Sequence, residues 1–552
     1  SMLNDPWFAK RLFTYAKPAS WDFTLEADYY VHGVAPASLK LDVWGGSRFP
    51  ASPDHRLLAE VNGIPVAEAS FEGVTDYYIK AQLPEGALAE GQNNLRLTLP
   101  GDTGASWDII NLESYSLTYP RAFVARNGQL TFTAVGEAFR VGGFTSPEVV
   151  VYRLINGVPT RLYHVNIEND GAGYSVNFAG SEFNATYLVY QANALQKPMI
   201  TPAPAAQDIT SGSADYLIIS HPDFIGGLDA LVQARQADGL TVKIVDVEQV
   251  YQQFGHALFD PQGIKDYIRH AAQNMGVEYV LLVGGDTYDY HNYSGAGSFS
   301  FIPSIYTRAG TEIGFAPVDP LFADIDGDLL PDLALGRFPV RTSAELESVI
   351  YKTLVYQNKD YGSTAVFSAD QGFKNDSLSL STPIDSGWNI TEAYLEEIGV
   401  ASARATLIDK INEGVALTSF VGHSGPTNWT YAGLFSYTDA ASLTNVDRPT
   451  VVTQWGCWNA YYVDPLYQTL GHQFLLAGNR GAAAVLGSTT ITMAFSEEAL
   501  GELMTPYLTA QGISIGQAML NAKQELAQSQ PYLLDVLLGW TILGDPALII
   551  QP

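Results

Sequence analysis

The chain has 552 residues, 29 basic and 58 acidic side chains and a formal net charge of −29. This length predicts roughly three or four domains, and the acidic balance argues against nucleic acid or an anionic membrane surface as a partner, because both need clustered Lys and Arg. A single cysteine, Cys457, excludes a disulfide framework within the chain, and no apolar run of about 18 residues predicts a membrane span.

Short segments of alternating polar and apolar residues dominate the first part of the chain. Segments such as 39–43 and 94–99 place every second side chain on the same face, which is typical of strands in antiparallel sandwiches. An Asn-Gly pair at position 62 predicts a tight hairpin. We therefore expect a jelly-roll-like β-sandwich over 1–122, followed by a small β module with a proline-rich linker over 123–205.

From about residue 206 the pattern alternates between strands and helices. A helix is expected from about Phe224, and Asp260 before Pro261 predicts the start of another. Thr342 followed by Glu345 predicts a capping box. Buried strands are predicted at 215–220, 241–247, 279–284, 364–368, 416–422, 450–456 and 482–488. This alternation indicates a mostly parallel sheet covered by helices, which we divide into two subdomains at 206–360 and 361–552.

Two chemically reactive side chains follow neighbouring predicted strands. His423 comes directly after strand 416–422, and Cys457 directly after strand 450–456. Since active sites of parallel sheets lie at the carboxyl ends of strands, this placement brings an imidazole close to a thiol. A nearby histidine lowers the pKa of a thiol and protonates the leaving amine in acyl transfer. The alternative is a structural histidine and a small buried cysteine.

Four segments resemble the gingipain family of cysteine peptidases, whose catalytic fold is caspase-like. They are 421–425, 454–457, 324–341 and 543–548. The resemblance extends from about residue 214 to the C-terminus, and it implies an α/β domain of two half-sheets. It also implies that Cys457 is the nucleophile and His423 the catalytic histidine.

The resemblance implies further site residues. The acid that orients the histidine matches Asp370, and Asp286 is the competing candidate. Ser424 stands where the family usually has glycine, and we assign it with Trp455 to the substrate-binding surface.

Gingipains cut after basic residues because an acidic side chain lies in the pocket for the residue before the scissile bond. The matching position here is Glu497, which implies basic specificity through a salt bridge. The alternative is an ordinary first-turn glutamate of a helix capped by Ser496.

An acidic loop precedes a predicted strand. Its four aspartates occupy loop positions 1, 3, 5 and 9, and they are Asp324, Asp326, Asp328 and Asp332. Oxygen ligands at this spacing favour calcium, although Leu329 and Leu335 occupy positions where an EF-hand needs Gly and Glu. We expect a structural calcium ion, with neutralisation by Arg337 and Arg341 as the alternative.

The expected function is therefore that of a secreted cysteine endopeptidase acting on a protein or peptide substrate. The acidic, lysine-poor composition is typical of an extracellular or bacterial cell-surface protein, and residues 1–6 show no leader. One alternative is a non-proteolytic protein whose N-terminal β modules bind a surface or a glycan. The other is a sortase-like transpeptidase that uses the same dyad.

Overall fold

The structure is a computed structural model that describes residues 7–169, 171–202, 205–310, 313–384 and 387–550. The chain forms two compact units, the first ending and the second beginning near residue 203. In the described ranges, no helix is long and apolar enough to span a bilayer.

The first unit begins with a sandwich of two antiparallel sheets. Its strands are β1 (Lys10–Thr14), β2 (Ala19–Ala27), β3 (Ser38–Gly45), β4 (His55–Val61), β5 (Ile64–Phe71), β6 (Asp76–Gln82), β7 (Gly91–Leu99) and β8 (Asp108–Thr118). The sheet orders are β1-β8-β3-β6 and β2-β7-β4-β5. Alternate residues of β7, namely Leu95, Leu97 and Leu99, are fully buried, and Asn62 and Gly63 form the β4–β5 turn with positive φ. The predicted one-sided burial of the alternating strand and the predicted hairpin at Asn62 are both confirmed.

A third antiparallel sheet completes the first unit. Its strands are β9 (Gln129–Phe144), β10 (Val149–Ile155), β11 (Val158–Leu162), β12 (Val165–Asn169) and β13 (Tyr174–Gln191). The long strand β13 pairs with β9, β10 and β12, and its own small core includes Val151, Val176 and Tyr187. After a single 3-10 turn at Ala192–Ala194, residues 195–202 have no regular secondary structure.

The second unit contains a ten-stranded sheet. Its strands, with those of two small accessory sheets, are β14 (Tyr216–Ser220), β15 (Val242–Asp246), β16 (Tyr279–Val283), β17 (Tyr306–Ala309), β18 (Ile313–Pro317), β19 (Ala334–Phe338), β20 (Thr364–Ala369), β21 (Asn389–Tyr394), β22 (Leu417–Val421), β23 (Ser424–Gly425), β24 (Asn428–Trp429), β25 (Phe435–Ser436), β26 (Thr450–Trp455), β27 (Ala482–Ser488) and β28 (Trp540–Leu543). The order of the large sheet is β15-β14-β16-β19-β28-β27-β26-β22-β20-β21. β28 pairs parallel with β19 and antiparallel with β27, so the direction of the sheet reverses there between two parallel halves.

Helices cover both faces of this sheet. They are α1 (Pro222–Ile225), α2 (Asp229–Ala237), α3 (Val247–Phe254), α4 (Pro261–Met275), α5 (Ser343–Gln357), α6 (Lys374–Ser381), α7 (Leu395–Glu413), α8 (Tyr437–Ser442), α9 (Leu470–Leu476), α10 (Ala494–Thr509), α11 (Ile515–Ser529) and α12 (Leu534–Leu537). Side chains of β22 alternate between two cores, Phe420 on one face and Leu417 and Val421 on the other. The predicted α/β architecture of two helix-covered half-sheets is confirmed.

The helix starts follow local capping chemistry. Asp260 accepts a hydrogen bond from the backbone of Gln262, as predicted. Thr342 accepts from the backbone of Glu345, which is half of the predicted capping box, whereas the Glu345 carboxylate accepts from the backbone N–H of Arg341. The single helix expected near Phe224 is divided into α1 and α2.

Candidate active site

The two predicted catalytic side chains lie at the carboxyl ends of adjacent parallel strands. Val421 of β22 pairs with Trp455 of β26, and neighbouring strands lie roughly 4.8 Å apart. His423 and Cys457 each follow two residues later, so the strand pairing brings them to the same edge of the sheet. The N–H of Gly422 donates to the carbonyl of Trp455 at 2.9 Å, which extends the pairing beyond the strands.

The His423 ring is exposed and lies against aromatic neighbours. Phe373 contacts it edge-to-face with ring centroids 5.1 Å apart, and Tyr431 lies at 6.3 Å. The N–H of Phe373 donates to the carbonyl of Asp370, and the N–H of Asp370 donates to the carbonyl of Val421. The loop after β20 therefore supports the loop that contains the histidine.

The two candidate acids have different surroundings. Asp370 lies beside Gly422, since a Cβ on that glycine would come within 2.3 Å of the Asp370 Cβ, and its carboxylate accepts from the N–H of Gln371. Asp286 is fully buried, and its carboxylate accepts hydrogen bonds from residues of the segment that leads from β16 into β17. The donors are Ser300 Oγ, Ser304 N, Tyr306 OH and Tyr290 OH. Among the hydrogen bonds of the described residues, none joins either carboxylate to His423.

The sulfur of Cys457 contacts Thr492. The thiol is half-buried and donates to the carbonyl oxygen of Thr492 at 3.5 Å, and the Thr492 hydroxyl oxygen lies 3.8 Å from Sγ. Burial raises the pKa of the Cys457 thiol, which favours the neutral thiol over the thiolate. Within the described part of the chain, no hydrogen bond connects Sγ to His423.

Side-chain hydrogen bonds fix the loop that contains Cys457. Ser424 Oγ donates to the carbonyl of Cys457 at 2.8 Å, so this hydroxyl is engaged inside the protein. Asn459 Nδ2 donates to the carbonyl of Gly456 at 2.8 Å. Trp458 has a positive φ of 56°, which is unfavourable for a residue with a Cβ and is typical of functional loops.

Glu497 lies in a small acidic pocket below the two strand ends. Its apolar lining includes Val421, Trp455 and Phe373, and Glu497 and two further carboxyl residues also line it. The two further carboxyls are Asp376 and Glu498. The free space of about 10 Å³ accommodates about one water molecule.

The Glu497 carboxyl is buried, with 5% of the residue exposed. Its Oε1 accepts from Thr492 Oγ1 at 2.8 Å and from Trp540 Nε1 at 3.4 Å. Burial raises its pKa to about 8. Ser496 is not the helix cap expected from the sequence, because α10 begins at Ala494 and its N-cap residue is Met493.

The acidic loop brings three of its four aspartates together. Asp324, Asp326 and Asp332 each place an oxygen within 4.8 Å of the others. Lys265 Nζ lies 2.9 Å from Asp324 Oδ2. The two arginines named as the alternative source of neutralisation are engaged elsewhere, since Arg337 pairs with Asp319 and Arg341 with Glu345. That interpretation is therefore wrong.

Sequence reasoning did not identify Thr492, Asn459 or Phe373 as site residues. For Thr492 a signal existed, because the residue follows β27, the strand beside β26, and the carboxyl ends of parallel neighbours meet at one edge. Asn459 and Phe373 act through backbone contacts and ring packing, for which the sequence contains no motif.

Comparison with known proteins gives a family and a fold. The model of peptidase family C25 matches residues 209–551. The Arg-specific cysteine proteinase gingipain R (RGPB) aligns with a TM-score of 0.51 and 18% identity, covering 64% of this chain and 80% of that one.

Two further solved structures come from Porphyromonas gingivalis. The complex of the RgpB pro- and mature domains aligns with a TM-score of 0.50 and 18% identity, over 61% of this chain and 79% of that one. Dimeric latent PorU aligns with a TM-score of 0.54 and 15% identity, over 99% of this chain and 52% of that one. At these identities the structures show the fold. Among curated proteins there is no significant match.

Proposed function

The chain belongs to peptidase family C25 and is a cysteine-type peptidase, and we propose that it is an endopeptidase whose nucleophile is Cys457 and whose general acid–base is His423. The observation that carries this proposal is the parallel pairing of β22 with β26, which places both residues just beyond paired strand ends. The bonds from Ser424 and Asn459 to the same loop support it, because acyl transfer needs a fixed nucleophile.

The reaction follows from the chemistry of the two groups. In the proposed reaction, His423 takes the proton of the Cys457 thiol as the sulfur attacks the scissile carbonyl carbon. The C–N bond then breaks, and the imidazolium protonates the leaving amine. Water, activated by the neutral imidazole, hydrolyses the thioester and regenerates the thiol. Backbone N–H groups at the two glycine-flanked strand ends are the proposed donors to the oxyanion.

Asp370 is the proposed orienting acid. Its position beside Gly422 and the contact of the following Phe373 with the histidine ring place its loop next to His423. Asp286 is the weaker candidate, because its carboxylate already accepts from buried donors.

The acidic pocket supports a preference for Lys or Arg before the scissile bond. Glu497, Asp376 and Glu498 line it. A cationic side chain would be attracted by the Asp376 and Glu498 carboxylates in a partly dry site, and it could donate a hydrogen bond to Glu497 whether or not that carboxyl is ionised. Because the free space accommodates about one water, binding of a long side chain requires the pocket to widen.

Calcium binding and an extracellular location are also proposed. Carboxylate oxygens suit calcium, and the three convergent aspartates Asp324, Asp326 and Asp332 would bind the ion. The ion would neutralise the loop together with Lys265 and stabilise the turn before β19. Secretion is supported by the family membership and the acidic composition, and the N-terminal β modules are the proposed surface- or glycan-binding part.

The decisive experiment measures hydrolysis of fluorogenic peptides with Lys, Arg or norleucine before the scissile bond. We expect Cys457→Ala and His423→Ala each to lower kcat/KM by roughly a thousandfold or more. The matched control is His164→Ala, a solvent-exposed histidine of the first unit, which should retain full activity. Full activity of Cys457→Ala would refute the proposal.

A further inference from the structure

A short chain of hydrogen bonds leads from the nucleophile to a buried carboxyl. Thr492 Oγ1 lies 3.8 Å from Cys457 Sγ and donates to Glu497 Oε1 at 2.8 Å. Trp540 Nε1 donates to the same oxygen at 3.4 Å. The sulfur is thus connected to Glu497 through one hydroxyl group.

This arrangement is rigid. Thr492 and Glu497 are 7% and 5% exposed, and the N–H of the intervening Met493 donates to Asp535 Oδ2 at 2.9 Å. A threonine hydroxyl has a single hydrogen. Thr492 can therefore donate to Glu497 or to the sulfur of Cys457, but not to both.

We propose that Thr492 and Glu497 are positioning residues for Cys457, and that the protonation state of the Glu497 carboxyl decides whether the Thr492 hydroxyl donates to the carboxyl or to the sulfur. The proposal rests on the proposed function only in taking Cys457 as the nucleophile. It assigns Glu497 a role at the sulfur in addition to the one in the pocket.

The two states differ in where one hydrogen points. When Glu497 is ionised, the hydroxyl hydrogen points to Oε1, and the thiol keeps its proton and can donate it to the Thr492 carbonyl oxygen, which lies 3.5 Å from Sγ. When Glu497 is neutral, its O–H donates to Thr492 Oγ1, and the Thr492 hydrogen turns to Sγ. This second arrangement stabilises the thiolate, which is the reactive form.

The surroundings of Glu497 favour its neutral form. Burial raises its pKa to about 8. The charged groups that face it are also carboxyls, namely Asp535 of α12, Asp376 of α6 and Glu498 of α10. A neutral Glu497 is therefore accessible near neutral pH, where the peptidase must form its thiolate.

The test uses the fact that the chain has one cysteine. The intact mass of the protein after timed exposure to iodoacetamide reports alkylation of Cys457 alone, without any substrate. We expect Thr492→Val to slow alkylation at neutral pH roughly tenfold, because the thiolate loses a hydrogen bond from a fixed donor. Thr492→Ser retains the hydroxyl and should react at close to the wild-type rate.

The Glu497→Gln variant tests whether a neutral side chain at position 497 speeds or slows alkylation of Cys457. Its amide N–H can donate to Thr492 Oγ1 as a neutral acid does, so alkylation should be at least as fast as in the wild type. An unchanged rate in Thr492→Val, or a Glu497→Gln rate below that of the wild type, would overturn the proposal. If Thr492→Val does not fold, the comparison of Glu497→Gln with the wild type alone decides.

The outcome is separable from that of the proposed function. Alkylation rates report the hydrogen-bond chain from Glu497 through Thr492 to Cys457, whether or not peptides are cleaved. Peptide hydrolysis by the wild type tests the peptidase assignment. In the same Glu497→Gln variant, loss of the preference for Lys and Arg over norleucine would report the pocket role. An unaltered preference with faster alkylation would show that Glu497 acts on the sulfur through Thr492 and does not set the specificity.

Discussion

Gly456 allows the ends of β22 and β26 to approach each other just before the nucleophile. A Cβ at this position would lie 2.3 Å from the carbonyl oxygen of Gly422 and 2.4 Å from Ser424 Oγ. Both atoms belong to the structure that positions His423 and Cys457. A side chain at position 456 must therefore push the two strand ends apart.

We expect Gly456→Ala to lower kcat/KM about a hundredfold, since misplacement of a reacting group by about 1 Å has that cost. Overpacking should also lower the free energy of unfolding by about 1–3 kcal/mol. The matched control is Gly425→Ala, where the nearest atom is Asn428 Oδ1 at 4.0 Å. Kinetics with a short peptide and urea unfolding measure both effects, and equal behaviour of the two variants would contradict the argument.

The placement of His423 and Cys457 at one edge of the sheet was predictable from the sequence for a physical reason. His423 and Cys457 each follow an apolar strand and a glycine, and parallel strands bring such ends together. The position of Thr492 after β27 indicates the same edge of the sheet, but its contacts with Cys457 depend on the path of the chain between β27 and α10 and were not predictable. The hydrogen bond from Ser424 to the carbonyl of Cys457 likewise requires the three-dimensional structure.

Helix α9 contains a buried histidine whose lowered pKa predicts a loss of stability in acid. His472 is 1% exposed, and its Nδ1 lies 2.9 Å from Thr469 Oγ1. Burial lowers its pKa to about 3, and the positive charge of Arg341 acts in the same direction. The folded pKa thus lies below the unfolded value, so stability is complete at neutral pH and decreases as pH falls below about 6.5.

We expect the wild type to lose about 2 kcal/mol more unfolding free energy than His472→Gln when the pH falls from about 7.5 to about 5, because the unfolded state binds one proton that the folded state excludes. Urea unfolding of both proteins at the two pH values measures the difference. Because the carboxylates titrate in both proteins, their contribution cancels in the comparison. Parallel losses in the two proteins would show that His472 does not exclude the proton.

Calcium binding by the acidic turn between Ala323 and β19 can be tested by its effect on stability. With calcium in large excess over its Kd, say a hundredfold, we expect a stabilisation of about 2.7 kcal/mol relative to chelated protein, measured as a rise in Tm. Asp326→Asn should abolish this rise. Asp328→Asn is the matched control, since Asp328 accepts the same kind of backbone bond but lies outside the convergent group. Equal Tm values with calcium and with chelator would exclude the site.

At the level of elements, local signals predicted the types better than the boundaries. The alternation of β7, the turn at Asn62 and the cap at Asp260 are local, and the structure confirms them. The division between α1 and α2 and the reversal of sheet direction at β28 depend on tertiary packing. The short strand β28 is fully buried but has no periodicity that distinguishes it from its surroundings.

Each of the two compact units has its own apolar core. The clusters of the first unit contain residues between Leu12 and Val189 only, whereas those of the second lie between Ile209 and Ile550. All residues of the proposed catalytic site belong to the second unit. A unit with its own core can fold alone.

We therefore expect residues 205–552, expressed alone, to fold cooperatively and to hydrolyse short peptides with the kcat/KM of the full chain. The same fragment should be obtainable by proteolysis of the full chain. In the segment before this unit, Met199 and Ile200 are 92% and 88% exposed, so thermolysin should cleave there first. Urea unfolding and peptide kinetics of the expressed fragment, the proteolytic fragment and the uncut protein give the comparison. Cleavage that abolishes activity on short peptides, or a fragment without a cooperative transition, would show that the catalytic unit depends on the first unit. Unchanged short-peptide kinetics together with a raised KM for protein substrates would instead assign the first unit to substrate binding.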